Sequence, residues 1–203
     1  MDFEIFGNTI NPKVLVIGVF HGDEPQGEYL IKKYKEDVDV TNLLFLPCLN
    51  PYGKKNNIRT NSNGVDLNRN FPTKNWALTE KNEFYGGDFP ASEKETRFVI
   101  ELVEKYTPEV ILTLHAPFKI VNYDGAKNQR NFDLVEKISR IMQYPIEPSI
   151  GYPTPGSFGT WAGVERGILT ITLELDEEID VKDLEESVFK VFDVISLSCQ
   201  SRI

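Results

Sequence analysis

The sequence predicts an α/β fold, a mixed and mostly buried sheet with helices on both faces. Two observations carry this. Short apolar, β-branched runs recur with turn residues at their ends, and helical patterns separate them. The runs are apolar at consecutive rather than alternate positions, the mark of strands covered on both faces. No internal repeat, linker or low-complexity tract interrupts the pattern, so one domain over residues 1–203 is expected.

Each element follows in order. Residues 14–20 (VLVIGVF) read as a buried strand. Residues 25–35 read as a helix with Pro25 in its first turn, where a missing N–H costs little. Residues 43–49 form a second apolar run, hence a second strand. Ser92-Glu93-Lys94-Glu95 has the form of a capping box and opens a helix to about Tyr106. Residues 110–114 and 167–175 (GILTITLEL) read as further strands, and residues 132–142 and 181–197 as amphipathic helices. Residues 50–90 stand apart: long, polar and rich in Asn, Gly and Pro. A stretch of that length inside a compact fold is functional or disordered. Tyr52, Phe71, Trp76, Phe84, Tyr85 and Phe89 make disorder the weaker reading.

Composition narrows the function. Hydrophobic residues make up 40% of 203 and charged residues 26%, enough for a sizeable core without staples. A net charge of -9 argues against nucleic acid as a partner, so any anionic ligand must meet a locally placed Arg or Lys. No apolar stretch is long enough to span a bilayer, so no membrane partner is expected. Met1-Asp2-Phe3-Glu4 lacks the basic start of a secretory signal. Cys48 and Cys199 sit in apolar segments and read as free thiols, so the cytoplasm is the expected compartment.

The chain has two histidines, and both directly follow a buried strand. Ligands gather beyond the carboxyl ends of strands in open α/β sheets, so His21 and His115 would face one crevice. Glu24 lies three residues after His21, and Gly22 between them allows a tight turn. Two His and one carboxylate, with a fourth position left for water, suit a catalytic zinc ion; other transition metals fit the same donors. The plainer reading is two hydrogen-bonded loop histidines. Residues 59–71 (RTNSNGVDLNRNF) hold a turn signal at Asn63-Gly64, yet also two arginines suited to a carboxylate or a developing oxyanion. Glu174 lies inside the apolar run ITLEL. Alternation puts it with Thr170 and Thr172 on one side, so it is either on an exposed edge or a buried carboxylate with a task, such as general base.

These residues resemble the zinc carboxypeptidase family, and in particular its bacterial murein peptide amidase branch. The matching stretches are HGDE at residues 21–24, NPYG at 50–53, RTNSNGVDLNRNFPTKNW at 59–76 and SEKET at 92–96. LHAP at 114–117, GYPTPGSFGTW at 151–161 and ITLEL at 171–175 complete the series. They run in the family's order along most of the chain. The resemblance implies an α/β/α sandwich, His21, Glu24 and His115 as ligands to one zinc ion, and Asp66 as the carboxylate that orients His21. It implies Arg59 as the group that steadies the oxyanion, Asn68 and Arg69 as a clamp for the substrate's free carboxylate, Glu174 as the catalytic base, and Tyr152 as a cap over the substrate. The implied substrate is a small peptide with a free carboxylate, specifically murein tripeptide cut between γ-D-glutamate and meso-diaminopimelate during wall recycling. Ala116 departs from the H-D-P segment of such amidases and puts diaminopimelate selectivity in question, with residues 118–124 a nearby candidate for the selective contacts. Deacylases resembling aspartoacylase or succinylglutamate desuccinylase share the H-G-x-E turn and a D-L-N-R segment but not GYPTPGSFGTW. A general C-terminal carboxypeptidase shares the metal-binding pattern, and so does a catalytically dead binding module.

Overall fold

Six strands form one mixed sheet in the order β1-β3-β2-β4-β6-β5. They are β1 (Phe6–Gly7), β2 (Val14–Ile17), β3 (Leu43–Leu46), β4 (Val110–His115), β5 (Ile120–Asp124) and β6 (Leu169–Glu174). The computed structural model describes residues 3–35, 42–147 and 151–199; Met1 and Asp2, part of the N-terminal start read above, lie outside the described residues. Strands β3, β2, β4 and β6 are parallel neighbours, and β1 and β5 close the two edges antiparallel.

The alternation of strand side chains divides the core in two. Val14, Val16, Leu112, Leu114 and Ile171 pack on one face with Leu30, Ile31, Ile138, Val188 and Phe192. Those partners come from helices α1 (Gln26–Lys35), α4 (Gln129–Met142) and α5 (Glu185–Ser198). Leu15, Ile17, Leu44 and Ile111 pack on the other face against Val99, Leu102 and Val103 of α3 (Lys94–Tyr106), together with Leu67, Phe71, Phe158 and Trp161. Strands with both faces covered explain why the sequence reads as unbroken apolar runs.

Several expectations change in detail. The strand expected over residues 14–20 ends at Ile17, and the one over 43–49 ends at Leu46. The residues that follow turn away to build the site and a short helix α2 (Pro51–Asn56), capped by the Asn50 side chain accepting from Gly53 N at 2.9 Å. The expected capping box does not form. Glu93 precedes α3 without a side-chain cap; its carboxylate instead accepts hydrogen bonds from Asn61 Nδ2 and Asn63 Nδ2, at 2.7 and 2.8 Å. A closing 3-10 turn (Val181–Leu184) precedes α5 where a continuous helix was expected. Residues 50–90 are ordered by side-chain amides rather than by a ladder. Asn61 Oδ1 accepts from the backbone of Asn63 and Val65, while Asn70 Nδ2 donates to Gly86 O and Ser92 Oγ. These amides satisfy backbone groups that no sheet or helix reaches.

Candidate active site

The four parallel strands end on one edge of the sheet, and the residues predicted to carry chemistry converge there. His115 is the last residue of β4 and Glu174 the last of β6, and the two are paired in register. β6 lies between β4 and β5, so Glu174 is not on an edge strand. His21 follows β2 by four residues, and Glu24 occupies the turn into α1. The expected turn forms at Gly22, with Glu24 N donating to His21 O at 3.2 Å; a Cβ at Gly22 would also lie 1.9 Å from Gly53 C, so its lack of a side chain lets α2 back directly onto the site.

His21, Glu24 and His115 present ligand atoms within 4.8 Å of one another, an arrangement that could hold a metal ion. Glu24 sits between the rings, with Oε1 2.8 Å from His21 Nδ1 and Oε2 2.9 Å from His115 Nδ1. The two Nδ1 atoms are 3.3 Å apart. On its far side, His21 Nε2 lies 3.2 Å from Asp66 Oδ1. Phe20 stacks on the His115 ring, with centroids 5.4 Å apart. A carboxylate on the remaining nitrogen of a ligand histidine fixes its ring and raises its basicity.

The electrostatics favour a positive charge at the cluster. Burial opposes an imidazolium at His21, but Glu24 and then Asp66 overcome it and push the pKa up to about 9. Burial likewise works against a charged Glu24 and a charged Asp66, yet His21 beside each holds both carboxyls well below the usual range. His115 is pushed down, mainly by burial. A field that draws a proton onto His21 also draws a cation into the triangle.

Around this cluster stand groups from the long loop. Arg59 Nε and Nη2 donate to Asp66 Oδ2 at 2.9 and 2.8 Å, and Nη1 lies 3.7 Å from Glu24 Oε1. Asp66 thus ties Arg59 and His21 together. Asn68 turns its side-chain oxygen to Phe158 N at 2.9 Å, which joins the two loops that flank the cavity. Arg69 Nη1 donates to Asn68 O at 2.7 Å, while Nη2 is buried with no partner among the described residues. Gly156, at φ 73°, brings its backbone so close to Arg69 O that a Cβ would lie 2.1 Å away. Tyr152 is partly exposed, with its ring 5.9 Å from the Arg69 guanidinium carbon.

Glu174 is also incompletely satisfied: Oε2 is buried without a partner among the described residues. Burial first, and the neighbouring charge of Glu24 second, raise its pKa to about 8. The predicted site residues all meet at this end of the sheet. His21, Glu24, Arg59, Asn68, Arg69, His115, Tyr152 and Glu174 line one cavity of about 390 Å³, with Asp66 directly behind. A neighbouring cavity of about 580 Å³ shares Asp23, Arg59 and Glu83 with it and extends the groove along residues 57–64.

Sequence reasoning missed Phe84, whose ring lies 5.1 Å from the Arg59 guanidinium carbon and 6.2 Å from the Tyr152 ring. Asn122 and Asp124, from the candidate stretch 118–124, line an adjoining cavity. Their place follows from the antiparallel pairing of β5 with β6, which sets Asn122 opposite Thr172 and Asp124 opposite Thr170.

Comparison with known proteins agrees with this geometry. A murein peptide amidase A from Escherichia coli strain K12 is 36% identical over 126 residues, 56% of this chain and 50% of the relative. The chain thus spans about half the length of that relative. A murein peptide amidase A from Vibrio campbellii is 34% identical over 181 residues, 81% of this chain and 70% of the relative. The crystal structure of a murein-tripeptide amidase from Escherichia coli O157 superposes with a TM-score of 0.76 at 26% identity, over 98% of this chain and 87% of that one. Carboxypeptidase A from Helicoverpa armigera, at 17% identity, shares the fold with a TM-score of 0.71 over 94% of this chain and 61% of that one. The zinc carboxypeptidase family model matches residues 6–187, and the chain belongs to that family.

Proposed function

We propose that this protein is a zinc-dependent peptidase-amidase that cuts an amide bond beside a free carboxylate. The observation that carries this reading is one cavity holding a cation-favouring His21–Glu24–His115 cluster and two buried atoms of opposite chemistry. Glu174 Oε2 is an acceptor without a donor, and Arg69 Nη2 is a donor without an acceptor, among the described residues. A substrate presenting a proton to the first and a carboxylate to the second satisfies both.

The donor set fits zinc, since two imidazoles and one carboxylate with an open side are the usual catalytic arrangement. His21, Glu24 and His115 would hold one ion, which when bound polarises a carbonyl and makes water nucleophilic near neutral pH. The chain's own residues then divide the work. Asp66 keeps the His21 ring turned toward Glu24. Glu174 takes the proton of the attacking water and returns it to the departing amine; a carboxyl with its pKa near neutrality can do both. Arg59 donates to the oxygen on which charge develops. Asn68 and Arg69 hold the free carboxylate and so fix the position of the reacting bond, while Tyr152 closes over it. Two local arginines thereby let an acidic protein bind an anionic peptide.

The substrate we propose is murein tripeptide, cut between γ-D-glutamate and meso-diaminopimelate. The names of the amidases aligned above support it, as does the groove that continues past Arg59 to receive the acyl side. The free thiol of Cys48 supports a reducing compartment such as the cytoplasm. The test is to incubate zinc-loaded protein with L-Ala-γ-D-Glu-meso-diaminopimelate, with and without chelator, and follow diaminopimelate release by mass spectrometry. Chelator-sensitive release is expected. Turnover only of a general carboxypeptidase substrate, or only of N-acyl amino acids, would reassign the substrate class.

A further inference from the structure

Phe84 stands at the junction of the two cavities described above. It lines the one of about 390 Å³ that holds the predicted site residues, and its neighbour Glu83 lines both that cavity and the groove beside it. Phe84 is 39% exposed, so burial in the core does not account for its position. The guanidinium carbon of Arg59 lies over its ring, 5.1 Å from the centroid. The Tyr152 ring is 6.2 Å away and lies 5.9 Å from the guanidinium carbon of Arg69. Two aromatic rings, each against one arginine, thus meet at the cavity.

The backbone fixes Phe84 against the loop that carries both arginines. Phe84 N donates to Asn82 Oδ1 at 2.8 Å and closes a local turn. The next residue, Tyr85, is buried, and its carbonyl accepts from Asp66 N at 2.8 Å. Gly86 then packs on Arg69, where a Cβ would lie 2.6 Å from Arg69 O. Asp66 is also the residue that grips Nε and Nη2 of Arg59, so ring and guanidinium share one anchor. With that edge occupied, Nη1 is the nitrogen turned toward the cluster, 3.7 Å from Glu24 Oε1. The Arg59 side chain is only 16% exposed although it lines both cavities.

We infer that Phe84 is a positioning residue for the proposed hydrolysis: its ring backs the Arg59 guanidinium, keeps water from one face of it and holds Nη1 toward the reacting carbonyl. This rests on the peptidase reading, which gives Arg59 the oxygen on which charge develops. A cation over an aromatic face is attracted by the ring's negative quadrupole, and more strongly where water is excluded. A donor already dry and fixed in direction needs no rearrangement as that charge appears. A branched apolar side chain would fill the space without the attraction, so the ring itself is what matters. Phe84 acts through Arg59 and touches no reacting atom.

The experiment is a double-mutant cycle on zinc-loaded protein, with kcat and KM for L-Ala-γ-D-Glu-meso-diaminopimelate measured for each member. Phe84→Ala should lower kcat by about threefold to thirtyfold and leave KM within about threefold. Phe84→Tyr should recover most of that loss and Phe84→Leu little of it. On an Arg59→Ala background, Phe84→Ala should add no further loss. Equal losses on both backgrounds, or full recovery by Phe84→Leu, would overturn the inference. A second measurement needs no turnover. Phenylglyoxal labels accessible guanidinium groups, and peptide mapping should show Arg59 labelled severalfold faster in Phe84→Ala than in the wild type, with the exposed Arg140 of α4 as internal reference. An unchanged ratio of Arg59 to Arg140 labelling would also overturn the inference. If the wild type does not cleave the peptide, the peptidase reading fails separately, and labelling alone decides whether Phe84 shields Arg59.

Discussion

The two halves of the candidate site are held in different ways. His115 and Glu174 sit on adjacent parallel strands and are set against one another by backbone pairing. Arg59, Asp66, Asn68 and Arg69 sit on a long loop, where asparagine side chains take the place of the ladder. Asn70 shows how: its amide donates to Gly86 O and Ser92 Oγ and accepts from Glu93 N at 3.1 Å, all while fully buried. In the proposed mechanism, the base that needs a fixed distance from the cluster is on a strand, and the residues that would recognise the substrate are on loops positioned by buried amides.

The largest expected effect breaks the strand half. Glu174→Gln should reduce turnover by about 10²–10⁴-fold while calorimetry shows metal still bound. Turnover near the wild-type level would remove Glu174 as the base.

The same residue gives a pH test that needs no substrate. Its carboxyl titrates at about 8 in the metal-free fold against 4.5 unfolded. A raised pKa means that the folded state holds the proton longer, so this contribution to stability is complete below pH 4.5 and is lost as pH rises through 8. In urea unfolding of metal-free protein, Glu174→Gln should gain on the wild type by about 2–4 kcal/mol between those limits. A constant difference across that range would show that the burial of Glu174 does not govern its charge.

The loop half breaks through its amides. Asn70→Ala leaves several buried groups without partners and should cost about 2–4 kcal/mol in urea unfolding, with KM raised more than metal affinity is lowered. Equal losses in both would show that the two halves are not separable.

Asp66 links them, through His21 on one side and Arg59 on the other. Asp66→Asn should weaken metal binding by about tenfold to a hundredfold in competition with a chromogenic chelator, the smallest of these effects. A loss confined to turnover would assign Asp66 to Arg59 alone.

Much of the architecture was legible in the chain. The runs of consecutive apolar residues marked β2, β3, β4 and β6, because strands covered on both faces have no polar side to show. Amphipathic spacing marked α4 and α5, Pro25 the start of α1, and the Ser92–Glu95 pattern the start of α3. Position at a strand end, with the motif order, grouped His21, Glu24, His115 and Glu174 before any distance was known. Other features were decided only in three dimensions. β1 has two residues, too few for any period, and β5 (IVNYD) becomes a strand by pairing with β6. The Ser92–Glu95 pattern promised a local cap, but Glu93 found Asn61 and Asn63 instead, contacts about thirty residues away in sequence. Gly22, Gly156 and Gly159 matter for what approaches them, Gly53, Arg69 and Asp124, and nothing adjacent in the chain announces those neighbours. Periodicity records which faces are buried, since burial repeats along an element. Which partner fills a given gap is set by chain segments that meet only after folding, and that information is absent from any local stretch of sequence.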